Sequence, residues 1–302
     1  MTHRFRLLAA LIVVLNLAAV AADASPGEAG TVPVAPASEG RSLAELNSAP
    51  IQDNSFLVEE AYNQEDGVIQ HISFFQKLST GDWAFTQTDE WPLRSIKHQL
   101  SLTLVATHAD GYSGAGWGDT FINYRYQLIG NGDTRLAVAP RFSLLLPTGD
   151  AVSGRGMGGV GFQTNLPISF AINKRIVTHW NAGATWAPRA QNNLHQTASS
   201  LGANLGQSFV WLVNNRFNGL LETFWTNSPQ VAGPGVTTPR YNLYVSPGVR
   251  WAHNFRNGLQ IVPGVGVPIG VGLSSGQVGM IFYLSFEHGL GLAHSKAARA
   301  QE

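Results

Sequence analysis

From residue 98 onward the chain alternates, and a two-residue repeat kept up over this length leaves few folds open to it. In residues 118–128, Thr120, Ile122, Tyr124, Tyr126 and Leu128 fall on one parity, while Asp119, Asn123, Arg125 and Gln127 fall on the other. A strand sends successive side chains to opposite faces, so one face is apolar and the other carries charge and amide. After Gly130-Asn131-Gly132-Asp133 the pattern resumes, with Leu136, Val138, Phe142, Leu144 and Leu146 set against Arg135, Arg141 and Ser143. Asn-Gly and Gly-Asp tolerate the positive φ that a tight antiparallel reversal needs, so the unit is a β-hairpin.

The same rule, bounded by Gly, Pro, Asn and Asp, marks about twelve segments: 68–76, 83–91, 98–107, 117–128, 134–146, 160–172, 176–187, 201–213, 216–226, 240–252, 259–269 and 277–287. The first two alternate poorly. Connections after the fourth, sixth, eighth and tenth segments are tight, at 130–133, 173–175, 214–215 and 254–257. Those after the third, fifth, seventh and ninth, at 108–116, 147–159, 188–200 and 227–239, are long and rich in Gly, Pro and polar residues. Short turns at one rim and long loops at the other describe an outer-membrane barrel, and an even strand count puts both termini on the short-turn, periplasmic side.

Alternation alone does not say which face is inside. A soluble barrel lines its interior with the apolar face, whereas a membrane barrel turns that face to lipid. Three observations favour lipid. Aromatic residues on the apolar parity collect near strand ends, Tyr126, Phe170, Trp211, Phe217, Trp251 and Phe286 at one rim and Trp186, Trp225 and Tyr241 at the other. Such bands are interfacial girdles. The opposite parity is polar along tall strands, with Asn123, Arg125, Arg141, His179, Asn181, Arg216, Glu222, Arg240 and Arg250 as lumen-lining candidates. The final segment reads Gln277-x-Gly279-x-x-Phe282-x-Leu284-x-Phe286, which resembles the terminal signature that the barrel-assembly machinery receives, although residues 287–302 follow it. Residues 258–286 hold no charge, but Pro263, Pro268 and repeated glycines argue for two strands rather than a spanning helix.

The start of the chain reads as an export signal: Arg4 and Arg6, an apolar run to Ala19, and Ala22-Asp23-Ala24 as the cleavage site, giving a signal peptide over 1–24 and a cell outer membrane destination. Residues 25–50 are rich in Ala, Pro, Gly and Ser and read as a flexible periplasmic linker. The acidic stretch 51–67, IQDNSFLVEEAYNQEDG, reads as an ordered lead-in, the alternative being a segment docked on a barrel end. The barrel is assigned to 68–287 and a tail to 288–302. With 19 basic and 19 acidic residues there is no electrostatic pull toward nucleic acid, and without cysteine there is no disulfide framework. The expected surroundings are outer-membrane lipid and lipopolysaccharide.

Residues 54–286 also carry a resemblance. Phe56-Leu57-Val58-Glu59-Glu60-Ala61-Tyr62-Asn63-Gln64-Glu65, Glu90-Trp91-Pro92-Leu93, Gly118-Asp119 with Asn123-Tyr124-Arg125-Tyr126, Pro140-Arg141 with Pro147-Thr148-Gly149-Asp150, and Thr178-His179-Trp180-Asn181-Ala182-Gly183 resemble the family of outer-membrane proteins named for the meta-pathway of phenol degradation. The resemblance implies a transporter-like barrel passing small hydrophobic or aromatic compounds, with no defined catalytic residues.

Sites of chemistry are sparse. Gly156-x-Gly158-x-x-Gly161 matches the spacing of a dinucleotide fingerprint but ends a loop and opens a strand, where that motif requires a strand before and a helix after. No cofactor or metal set is indicated. His179 is the best lone base, with Asn181 and Thr185 on its parity, and a wall residue is the stronger reading of it. Asn123, Arg125 and Arg141 should share one layer of the wall, and the inward acids are Asp119, Glu90 and Glu222. The expected function is a non-enzymatic channel for passive uptake of small solutes. The alternatives are an outer-membrane enzyme acting on lipid or lipopolysaccharide through His179 or the 147–159 loop, and a plugged structural or surface barrel.

Overall fold

A computed structural model describes residues 42–112 and 114–289. The expected signal peptide over 1–24, most of the expected linker and most of the expected tail lie outside the described residues. Twelve antiparallel staves form one closed wall: β1 (Val68–Leu78), β2 (Trp83–Pro92), β3 (His98–His108), β4 (Gly116–Trp117 and Thr120–Tyr126), β5 (Leu136–Val138 and Arg141–Leu146), β6 (Gly161–Asn173), β7 (Ile176–Gln191), β8 (Thr197–Asn214), β9 (Phe217–Asn227), β10 (Tyr241–Trp251), β11 (Gln260–Gly266 and Ile269–Gly270) and β12 (Gly279–Gly289). Each pairs with its sequence neighbour, and the ring closes through β12 on β1, from Val68 opposite Gly289 to Leu78 opposite Gly279. Closure matters because an open edge would leave backbone donors unpaired in hydrocarbon.

The wall is inverted relative to a soluble protein. Side chains such as Ile122, Phe142, Trp180, Leu205, Phe209, Leu221 and Phe282 are exposed on the outside, whereas Gln70, Ser143, Ser208, Glu222, Ser246 and Arg250 are buried within. The expected girdle residues all lie on the outer face, with Trp211 57% exposed at the short-turn rim and Trp186 46% exposed at the other. Trp225 and Tyr241 stack there, their ring centroids 6.2 Å apart.

Strand ends differ from the expected ones in instructive places. Ala139 and Pro140 interrupt β5, and Pro140 still offers its carbonyl to Tyr126 N at 3.0 Å. Proline cannot donate to a ladder, so the stave is carried in two pieces. Residues 188–200, expected as a long loop, are mostly paired, because β7 and β8 run on to Gln191 and from Thr197 around a short turn. At about 3.3 Å per residue, the 18-residue β8 spans roughly 60 Å, well beyond the apolar band of about 25 Å that such barrels present to lipid. Residues 228–240 likewise hold their own hairpin, Gln230–Gly233 against Val236–Thr238. Polar sequence therefore marks the end of the lipid zone, not the end of pairing.

The N-terminal flank is ordered where the described chain begins. Leu43–Ser48 form a short helix (α1) closed by a capping box between Ser42 and Glu45. The helix sits against the short-turn rim, where Asn215 Nδ2 donates to Asn47 O and Ser48 O and Asn254 Nδ2 donates to Leu46 O. The flexible-linker reading thus does not extend through residues 43–48.

Candidate functional site

The lumen holds part of the chain's own N-terminal flank. Residues 51–67, expected as a lead-in, enter from the short-turn rim, cross the interior and return to begin β1. Irregular backbone inside a barrel must find hydrogen-bond partners, and the inward polar parity supplies them.

Nearest the short-turn rim, the Asp53 carboxylate accepts from Gln70 Nε2 at 2.9 Å, from Tyr283 Oη at 2.5 Å and from Ser285 Oγ. Arg250 Nη1 donates to Asp53 O at 2.5 Å and Asn54 O at 2.6 Å. One step deeper, Glu222 Oε1 accepts both Leu57 N at 2.8 Å and Val58 N at 3.1 Å. Between them Phe56 enters an inward apolar patch of Ile72, Phe74, Val210, Leu220, Ile281 and Tyr283. Room for its ring depends on glycine. A Cβ built on Gly248 or Gly264 would lie 2.6 Å from a Phe56 ring carbon, and one on Gly266 2.9 Å away. This patch explains the poor alternation of β1, whose inward face carries Ile72 and Phe74 beside Gln70 and Gln76.

At the turning point Glu59 meets Arg141 through Nε at 2.9 Å and Nη2 at 2.7 Å, a two-pronged ion pair that Asn165 Nδ2 joins at 3.1 Å. Asn181 reads the Glu59 backbone as a neighbouring strand would, its Oδ1 accepting from Glu59 N and its Nδ2 donating to Glu59 O, each at 2.8 Å. On the way back, Arg125 Nε donates to Asn63 Oδ1 at 2.8 Å and Nη2 to Tyr62 O at 2.5 Å, with Glu90 Oε2 3.5 Å away. Gln127 and Gln99 complete the return by accepting from Asn63 N and Gln64 N.

Arg125 and Arg141 stand directly opposite each other on β4 and β5. Like charges in that relation destabilise a strand pair. Here each guanidinium is drawn to a different part of the inserted segment, so the segment balances the wall it crosses.

Of the lumen-lining candidates, Asn123, Arg125, Arg141, His179, Glu222 and Arg250 are brought together around the inserted segment. His179 Nδ1 lies 2.7 Å from Ser169 Oγ, and that hydroxyl already accepts from Ala61 N, so the imidazole is one member of the network beneath Tyr62. It faces neither lipid nor the 147–159 loop. Arg240 is half-buried in the cavity at the long-loop end. Arg216 departs from expectation: it occupies the two-residue turn between β8 and β9 and is exposed, because a tight reversal there places it beyond the wall. Asp119 is turned to the loop, accepting from Gly149 N at 3.0 Å and Met157 N at 2.7 Å. Asp53 and Glu59 anchor the inserted segment and were missed by pattern reading, although an acidic run beside a barrel with inward arginines is a signal that could have found them.

Above the inserted segment, on the long-loop side, lies a cavity of about 130 Å³. Leu57 and Glu59 form its floor, and Arg141, Asn165, Asn181, Thr185, Phe224, Arg240 and Tyr244 contribute to its walls. A second cavity of about 90 Å³ flanks the segment between Thr86, Thr88, Ser101 and Arg125. The site thus combines donors, a basic pair and apolar surface in one shaft, interrupted by a segment joined covalently to the wall only where it leads into β1 and otherwise held by noncovalent contacts.

No family model matches the chain, and no curated protein matches it either. Among solved structures, an outer-membrane channel from Pseudomonas putida F1 superposes with a TM-score of 0.53 at 13% identity, covering 76% of this chain and 97% of that one. The NanC porin aligns over 74% of this chain and 100% of its own length at 9% identity, with a TM-score of 0.48. At such identity the channel from Pseudomonas putida F1 establishes likeness of fold: this chain is a closed twelve-stranded barrel built as outer-membrane barrels are.

Proposed function

We propose that this protein is an outer-membrane channel for passive uptake of small solutes, held shut at rest by its own residues 51–67. The observation that carries the reading is the polar lumen with a cavity on the long-loop side whose floor is the inserted segment, held by side-chain contacts alone. A channel needs a wall that wets and a path that opens. The lining supplies the first, and withdrawal of the segment toward the short-turn rim supplies the second. The mixed lining, with Phe224, Tyr244 and Leu57 beside Arg141 and Arg240, suits compact hydrophobic or aromatic molecules with a polar edge. The resemblance to the phenol meta-pathway family supports the same substrate class, and the fold shared with a solved outer-membrane channel supports the channel reading. Export by a cleaved signal at 1–24 and delivery of residues 277–286 to the barrel-assembly machinery belong to this proposal.

Planar bilayers test it. The intact chain is expected to conduct rarely, and a variant lacking residues 52–66 that retains heat-modifiable migration on gels is expected to conduct persistently. Absence of conductance and of liposome swelling with phenol-sized solutes in both proteins would replace the channel with a structural barrel.

A further inference from the structure

The outer face of the barrel carries one cluster that lipid contact does not explain. At the seam between first and last strands, His71 of β1, Asp89 of β2 and His288 of β12 converge about three residues in from the short-turn rim. His71 faces Asp89 across one ladder and Phe286 across the other, while His288 sits opposite Ile69, a diagonal step from His71. All three point outward, since their neighbour Gln70 is the residue that reaches Asp53 inside. The side chains of His71 and Asp89 stay 22% and 19% exposed.

The hydrogen bonds fix which nitrogen of each ring carries hydrogen. His71 Nδ1 meets the Asp89 carboxylate, and His288 Nδ1 lies 3.1 Å from the Gly289 carbonyl. An ionised carboxylate and a carbonyl only accept, so both Nδ1 atoms donate. With both rings neutral, both Nε2 atoms present lone pairs, and they are 3.2 Å apart. The rings lie nearly parallel, 19° between planes, and Phe286 stacks on His71 at 4.6 Å, which holds the approach in place. Two converging lone pairs at that distance repel unless something positive sits between them.

We propose that His71 and His288 form a binding site for a divalent transition-metal ion of the zinc, copper or nickel class. Metal–imidazole bonds of about 2.0–2.1 Å in tetrahedral geometry separate two ligand nitrogens by about 3.3–3.4 Å, close to the observed spacing. Asp89 then plays the part of the carboxylate that orients a metal-bound histidine through its other nitrogen. Neutral imidazole suits these ions, whereas calcium and magnesium take oxygen sets. Two imidazoles supply the protein ligands and water completes the coordination, since among the described residues no third His, Cys, Asp or Glu joins them to form a larger ligand set. Bound there, the ion ties the last strand to the first across the closing seam.

The test uses tag-free full barrel folded in detergent. Zinc titrated by calorimetry should bind one ion per chain, and copper should give an electron paramagnetic resonance spectrum with coupling to two nitrogens. His71→Ala and His288→Ala should each abolish saturable binding, and Asp89→Asn should weaken it about 10- to 100-fold. Zinc should also raise the temperature at which the folded band converts on a gel, and His288→Ala should remove that rise while the variant still migrates as folded. Absence of saturable binding in the parent would overturn the site and leave a shared proton between the rings as the account of their approach. Binding that persists in both histidine variants would overturn it equally.

Discussion

Phe56→Ala isolates how tightly the inserted segment is held. The ring is buried among Ile72, Phe74, Val210, Leu220, Ile281 and Tyr283, against three glycines that admit it. A closed wall has little freedom to collapse into the space left, so the full range for truncating a buried Phe applies, about 3–5 kcal/mol. That loss falls on the docked state of residues 51–67, because the ladders of β1, β10, β11 and β12 do not pass through Phe56. At 1.4 kcal/mol per tenfold, opening of the segment becomes about 100- to 4,000-fold more frequent. Amide exchange reads this directly, since Leu57, Val58, Glu59, Ala61, Asn63 and Gln64 all donate their backbone hydrogens to wall side chains. These amides should exchange about 100-fold or more faster in the variant, with those of β1 and β12 unchanged. Equal acceleration in the strands would show that segment and wall open as one unit and would refute the reasoning, as would unchanged exchange in the segment.

Two further outcomes follow from the same contacts. Arg141→Ala leaves Glu59 in the lumen without its partner and should lower segment protection by about 3–5 kcal/mol, whereas adding Glu59→Ala should restore part of it, a coupling that a double-mutant cycle by amide exchange would measure. On the outside, Leu221→Arg at the middle of β9 should cost about 2–4 kcal/mol of stability in liposomes, and Trp251→Arg at the short-turn rim about 0–1, because the penalty follows depth. Urea unfolding of both variants in lipid checks the difference.

Much of this architecture was legible because period-two patterning and turn chemistry are local. Asn123, Arg125 and Arg141 announce an inward face by parity alone, and Asn-Gly and Gly-Asp locate the turn between β4 and β5. What was not legible depends on residues far apart in sequence. Nothing in Phe56 says that Gly248, Gly264 and Gly266 will cup it, since those glycines read equally as strand weaknesses. Arg216 shares its parity with Glu222, yet falls in the turn rather than the wall, because parity holds only while the chain remains paired. Residues 188–200 read as loop from composition and paired nonetheless, since water tolerates polar strands.

The contacts of Asp53 bear on how the barrel comes together. Its carboxylate is shared by Gln70, on the first strand, and by Tyr283 and Ser285, on the last. The Gln70 amide also reaches Glu287 on the last strand at 3.1 Å, but the carboxylate that Tyr283 and Ser285 share with it comes only with residue 53, which has no comparable berth until the two strands stand side by side. The seat for residue 53 is therefore complete only once the cylinder is sealed, so a segment near the start of the described chain docks last, after strands made more than two hundred residues later have closed the wall.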